Sequence, residues 1–122
     1  MSRDYADYIC DLLSPLGPVT ARGMFGGFGI YRDGLMFGLI ADDVLYFRCD
    51  DGNRSAYEAA GSEPFRPFAD KPNFKPTQLP YWEVPAELFD EPDDLCHWAR
   101  AAFDAALRCR KPKKKKLAIA PR

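Results

Sequence analysis

The stretch Arg22-Gly23-Met24-Phe25-Gly26-Gly27-Phe28-Gly29-Ile30-Tyr31 constrains the fold more than any other part of the chain. It holds four glycines among large apolar residues. Glycine packs nothing and loses the most entropy on ordering, so a strand tolerates it mainly where backbone turns tightly or approaches closely. Asp33-Gly34-Leu35-Met36-Phe37-Gly38-Leu39-Ile40-Ala41 follows at once. Asp33-Gly34 is a hairpin signal, because both positions tolerate the positive φ that a two-residue turn demands. Together they read as a small antiparallel meander: strands over 19–25, 28–31, 35–41 and 44–49, with Asp42-Asp43 as a second turn. Leu35–Ala41 is apolar on both faces, which marks a central strand.

Helices flank this meander. Tyr5, Tyr8, Ile9, Leu12, Leu13 and Leu16 recur at a 3.6 period, and Pro15 with Gly17-Pro18 stops that helix. Asp50-Asp51-Gly52-Asn53 offers N-cap oxygens for a short helix over 53–60, with Gly61 at its left-handed C-terminal cap. Prolines then space out extended chain, with strands over 65–68 and 79–84. Pro80 places the latter at a sheet edge or starts it later. Pro85 opens a helical turn through Phe89. From Pro92 a last helix presents Leu95, Trp98, Ala99, Ala102, Phe103, Ala106 and Leu107 on one face. The fold class is therefore α+β, two-layered, in the order α-β-β-β-β-α-β-β-α.

At 122 residues one domain is expected, here over 1–109. Net charge is −1 overall, but residues 1–107 hold all 18 acidic residues and nine basic ones, net −9. Residues 108–122 hold eight basic residues and no acidic ones. The tail over 110–122 has no periodicity and is expected to be disordered. Its Arg110, Lys111, Lys113, Lys114, Lys115 and Lys116 are candidate nucleic-acid contacts. The longest apolar run falls short of the roughly 20 residues a membrane helix needs. The acidic N-terminus lacks an export signal, so a cytoplasmic location is expected.

No residues announce catalysis. The glycines lead into another strand rather than opening a helix, so they make no phosphate-binding loop. Cys10, Cys49, Cys96 and Cys109 are irregularly spaced, with His97 the single histidine, so no paired metal ligands and no cofactor site are expected. Cys96 and His97 are helix neighbours pointing about 100° apart, which rules out a dyad by proximity. The paired aspartates sit in turns or at helix starts, where Asp bonds locally. Aromatics on the sheet could stack bases, but that needs basic residues on the same face. With the body at net −9, core packing or a protein interface is the better reading.

Several motifs in order resemble one family. They are Arg22-x-Met24-Phe25-Gly26-Gly27-x-Gly29-Ile30-Tyr31, Asp33-Gly34-x-Met36-Phe37-x-Leu39-Ile40 and Asp43-x-Leu45-Tyr46-x-Arg48, then Gly61-Ser62-Glu63-Pro64-Phe65 and Tyr81-Trp82-x-Val84-Pro85. The pattern resembles the N-terminal domain of the TfoX/Sxy competence regulators, over 3–107. That resemblance implies an antiparallel sheet with helices packed on one face, like the fold of secretion chaperones. It also implies a non-enzymatic regulatory or adaptor role in transcription, with a cyclic-AMP-responsive activator as candidate partner. The family supplies no catalytic residues, so its signature positions are expected to be structural, with Met24, Phe25, Met36 and Phe37 in the core. Longer members carry a second, helical domain where this chain has its lysine-rich tail. A homodimer is expected, because helices cover one sheet face and Leu35–Ala41 is apolar on both.

Overall fold

A computed structural model describes residues 3–24, 27–65 and 80–109, without the Met24 side chain. Helix α1 (Arg3–Leu12) leads into a 3-10 turn over Ser14–Leu16. Strands β1 (Thr20–Met24), β2 (Gly27–Arg32), β3 (Leu35–Ala41) and β4 (Val44–Arg48) follow. Helix α2 (Arg54–Ala59), strand β5 (Tyr81–Glu83), a 3-10 turn (Ala86–Asp90) and helix α3 (Pro92–Cys109) complete the order. The strands form one antiparallel meander, β1-β2-β3-β4-β5.

Both short hairpin turns use positive φ. Asp33 (55°) and Gly34 (78°) join β2 to β3, while Asp42 (52°) and Asp43 (60°) join β3 to β4 without a glycine. Gly61 (78°) ends α2 as expected, and the Ser62 N–H reaches back to the Tyr57 carbonyl at 3.0 Å. The α2 N-terminus is closed by backbone rather than by a capping side chain, since the Arg54 N–H donates to the Asp50 carbonyl at 3.0 Å. Asn53 instead ties the loop: its Oδ1 accepts from the Asp50 N–H and its Nδ2 donates to the Arg48 carbonyl.

One core lies between the helices and one sheet face. Ala21, Ile30, Phe37, Ile40, Leu45 and Phe47 meet Ile9 and Leu13 from the α1 end, Tyr57 from α2, and Leu95, Ala99, Ala102 and Phe103 from α3. Phe37 makes an edge-on contact with Phe103, ring centroids 5.8 Å apart. The ends of the sheet are guarded differently. At β1, the Arg3 guanidinium donates to the Ala21 carbonyl. At β5, the Glu83 N–H donates to Glu63 and the Phe65 N–H to Tyr81.

Several expectations need correction. The first helix stops at Leu12, and Pro15 starts the 3-10 turn instead. Tyr8 and Leu107, placed on core faces by periodicity, are 47% and 44% exposed. Of the strand expected over 65–68 only Phe65 is among the described residues, next to an isolated bridge between Pro64 and Trp82, and 66–68 lie outside them. The strand expected over 79–84 is only Tyr81–Glu83, beginning just after Pro80 at the sheet edge. The helical turn after Pro85 is of the tighter 3-10 kind.

Candidate functional site

The signature residues divide between the two sheet faces. Strand register and alternation set Arg22, Gly29, Leu39, Tyr46 and Glu83 in one row across the face opposite the helices. Tyr31 and Met36 pair in the neighbouring row, as do Arg48 and Tyr81. Met36, expected in the core, is half-buried and stands outside the core cluster, whereas Phe37 is fully buried within it. A register shift beside Ile30 and Tyr31 leaves Phe37 as the extra residue of β3, so that Met36 pairs with Tyr31 instead of continuing the face of Gly38 and Ile40. Gly34, Gly61 and Pro85 serve turns. Gly27 makes a close approach, since a Cβ there would lie 2.0 Å from the Ile40 carbonyl oxygen. Phe25, Gly26 and the tail residues Arg110, Lys111, Lys113, Lys114, Lys115 and Lys116 lie outside the described residues.

The open face is an arginine–tyrosine surface. The Arg22 guanidinium lies 5.2 Å from the Tyr31 ring centroid, and Arg48 lies 5.6 Å from that of Tyr81. Such stacking holds a planar cation over the electron-rich ring face. The Tyr46 and Phe65 rings meet at a tilt of 53°, centroids 4.8 Å apart. Leu39 and Tyr81 are each 8% exposed although neither belongs to the core cluster. Neither Arg22 nor Arg48 has a carboxylate partner among the described residues. Burial works against the Arg48 charge, but its contacts with Cys109 and Tyr81 leave its pKa raised. Its Nε is buried without a hydrogen-bond partner. The sequence missed this face, because Arg22 and Arg48 stand 26 positions apart and only the sheet register brings them together.

On the other side, α2 and α3 flank a shallow cleft of about 230 Å³, lined by Asn53, Ser55, Tyr57, His97 and Trp98 among others. Small-molecule sites usually exceed ~300 Å³. His97 is exposed there, while the Cys96 thiol turns away and donates to the Leu12 carbonyl at 3.3 Å. The two residues form no dyad. Beneath the cleft, Tyr57 packs edge-on against Trp98 at 4.7 Å, and its buried hydroxyl has no hydrogen-bond partner. Burial, with the Cys49 thiol beside it, pushes the Tyr57 pKa far up, and burial pushes Cys49 up to about 12. Both groups therefore stay protonated at neutral pH, the reverse of an activated nucleophile. Among the described residues no three His, Cys, Asp or Glu side chains converge on a point that could hold a metal ion.

At the end of α3, Arg108 makes a two-pronged bridge to Asp50, both contacts at 2.7 Å. The hydrogen bond from Arg108 holds the Asp50 carboxyl below the usual carboxylate range. Cys109, the next residue, is the one that contacts Arg48. The bridge thus fixes the point from which the basic tail departs, beside the open face. Residues 11–106 of the chain match the model of the family described as TfoX N-terminal domain. The chain belongs to the TfoX N-terminal domain family. No curated protein matches it. Among the described residues no helix is long and apolar enough to cross a membrane.

Proposed function

We propose that this TfoX N-terminal domain chain is a non-enzymatic regulatory adaptor acting in transcription through protein–protein contacts in the cytoplasm. The observation that carries the reading is the family match over 11–106 of 122 residues. The composition of the open face agrees with it, because interfaces favour Tyr, Met and Arg and disfavour Lys and acidic residues. In its more specific form, the partner is a cyclic-AMP-responsive activator and the setting is natural competence. The test is capture from a bacterial lysate with the tagged full chain, followed by mass spectrometry. Recovery of a transcription activator or polymerase subunit is expected, and retention of an activator should rise with added cyclic AMP. Recovery of no transcription-linked protein overturns the reading.

A second reading, sequence-independent nucleic-acid binding through 110–122, is favoured by one observation. Seven basic residues and no acidic ones follow the anchored end of α3. The two readings differ in salt dependence, since phosphate contacts release counterions and weaken steeply as salt rises.

A further inference from the structure

We propose that the cleft between α2 and α3 seats Leu117 and Ile119 of this chain's own basic tail, so that the tail folds back along α3. The proposal goes beyond the adaptor reading and does not need it. Residues 110–122 lie outside the described residues, and their part is taken from the sequence. After the lysine run comes Leu117-Ala118-Ile119-Ala120, and Leu117 and Ile119 are the large apolar side chains of the tail. Standing two positions apart, they point to the same side of an extended chain.

Size, reach and charge together select this occupant. At about 230 Å³ the cleft is small for a free small molecule but suits inserted side chains. Ala56, Trp98 and Ala101 give it apolar walls, over the buried Tyr57 ring. The tail starts close to its rim. Gly52 lines the cleft and lies against Arg108, since a Cβ there would come within 2.7 Å of the guanidinium. Trp98 stands eleven residues before Cys109 on one helix, roughly 16 Å along its axis. Residues 110–116 span up to about 23 Å when extended, so Leu117 reaches the cleft with slack. The route is acidic. Asp104 and Ala101 lie on the helical stripe that joins Arg108 to His97. Residues 50–59 and α3, which form the walls, hold six carboxylates against three arginines, whereas the tail has seven basic residues and no acidic one. Tethering adds to this, because a short linker presents its end at a millimolar effective concentration and populates a contact too weak for a separate ligand. Docked, the lysines face the acidic body and are held from other polyanions. A competitor for the cleft sets them free.

The test compares the full chain, labelled with nitrogen-15, with its Leu117→Ser/Ile119→Ser variant, whose changes lie beyond α3 and away from the core. Amide signals of Asn53, Ser55, His97 and Ala101 and the Trp98 indole N–H should shift between the two. Those of Arg22, Tyr31 and Tyr46 should not. The difference should persist on tenfold dilution, as an intramolecular contact requires. Asp104→Asn and high salt should each move the parent's cleft signals part of the way toward the variant's. A synthetic peptide of residues 110–122, added to the double variant, should move them back toward the parent's. Cleft signals unchanged by the double variant overturn the proposal. Changes confined to Arg22, Tyr31 and Tyr46 also overturn it and seat the tail on the open face of the sheet. A difference that fades on dilution overturns it too, because the occupant is then the tail of a second copy. Insensitivity to both Asp104→Asn and salt overturns the route along α3.

Discussion

Gly27 shows how a single residue can fix a sheet. Its backbone lies so close to β3 that any Cβ would sit 2.0 Å from the Ile40 oxygen, a contact only main-chain movement can relieve. We expect Gly27→Ala to destabilise the domain by at least about 2 kcal/mol in urea melts, with Gly27→Val worse; an unchanged midpoint would show that β2 and β3 can separate at this point. The sequence left two readings open for this glycine run, a tight turn or a close backbone approach; at Gly27 it is the close approach, since Gly27 is absent from the positive-φ positions. Cys49 and Tyr57 give a second test. Burial raises both pKa values, Cys49 from 9.0 to about 12 and Tyr57 from 10.0 to still higher. Between its unfolded and folded pKa, each group binds more protons in the folded state, so stability falls as pH rises. Stability from these groups should be complete below about pH 9, the ordinary thiol range, and decline toward pH 12. Replacing Cys49 with Val should move the onset toward pH 10, where tyrosine alone begins to respond. A pH-independent melt from 8 to 11 would contradict this.

At the scale of elements, the two hairpins differ in how easily their turns adopt positive φ. Asp33-Gly34 has glycine at its second position, but Asp42-Asp43 holds two non-glycine residues at 52° and 60°. Asp tolerates this region better than most residues, yet glycine adopts it at lower cost. Replacing Asp42-Asp43 with Asn-Gly, the pair this turn type favours, should therefore stabilise the domain by roughly 0.5–1 kcal/mol. Thermal melts check it, and a lower melting temperature would mean that these aspartates make contacts outweighing the turn strain. Elements were read well wherever local chemistry decides them. The Asp-Gly turn, the α2 stop at Gly61 and the start of α3 at Pro92 all follow from residues within a few positions. Faces were read less well, because periodicity reports amphipathicity and not what lies opposite. Tyr8 fits the apolar stripe of α1 and still projects to solvent at 47% exposure. The register shift beside Ile30 and Tyr31 similarly moves Met36 off the core face, and no local signal announces it. The arginine–tyrosine surface was the least legible feature, since its rows are assembled from β1, β2, β4 and β5 only by register.

For the whole molecule, the acidic body and basic tail are coupled through one joint. Arg108 bridges Asp50 at 2.7 Å with both prongs, and a Cβ on Gly52 would come within 2.7 Å of the same guanidinium. Arg108 thus belongs to the folded domain, although by charge alone it counts with the tail. A truncation that begins at Arg108 would remove this bridge, and any lost binding could then reflect a loosened β4–α2 loop. Ending the chain at Cys109 separates the two effects. We expect that shorter cut to leave the melting temperature almost unchanged, because it keeps the Asp50 contact. The Asp50 pKa, lowered chiefly by the Arg108 hydrogen bond, should also stay low, so stability would still be lost only as pH falls through that lowered value. If the second reading holds, about five of the seven tail charges engage phosphates. The log–log salt slope on duplex DNA should then be near −4, with affinity micromolar at best near physiological salt. Repulsion by the body's net charge of −9 weakens it further. The chain ending at Cys109 should lose this binding entirely. Retention of DNA binding with the same slope would move the contact onto the folded body.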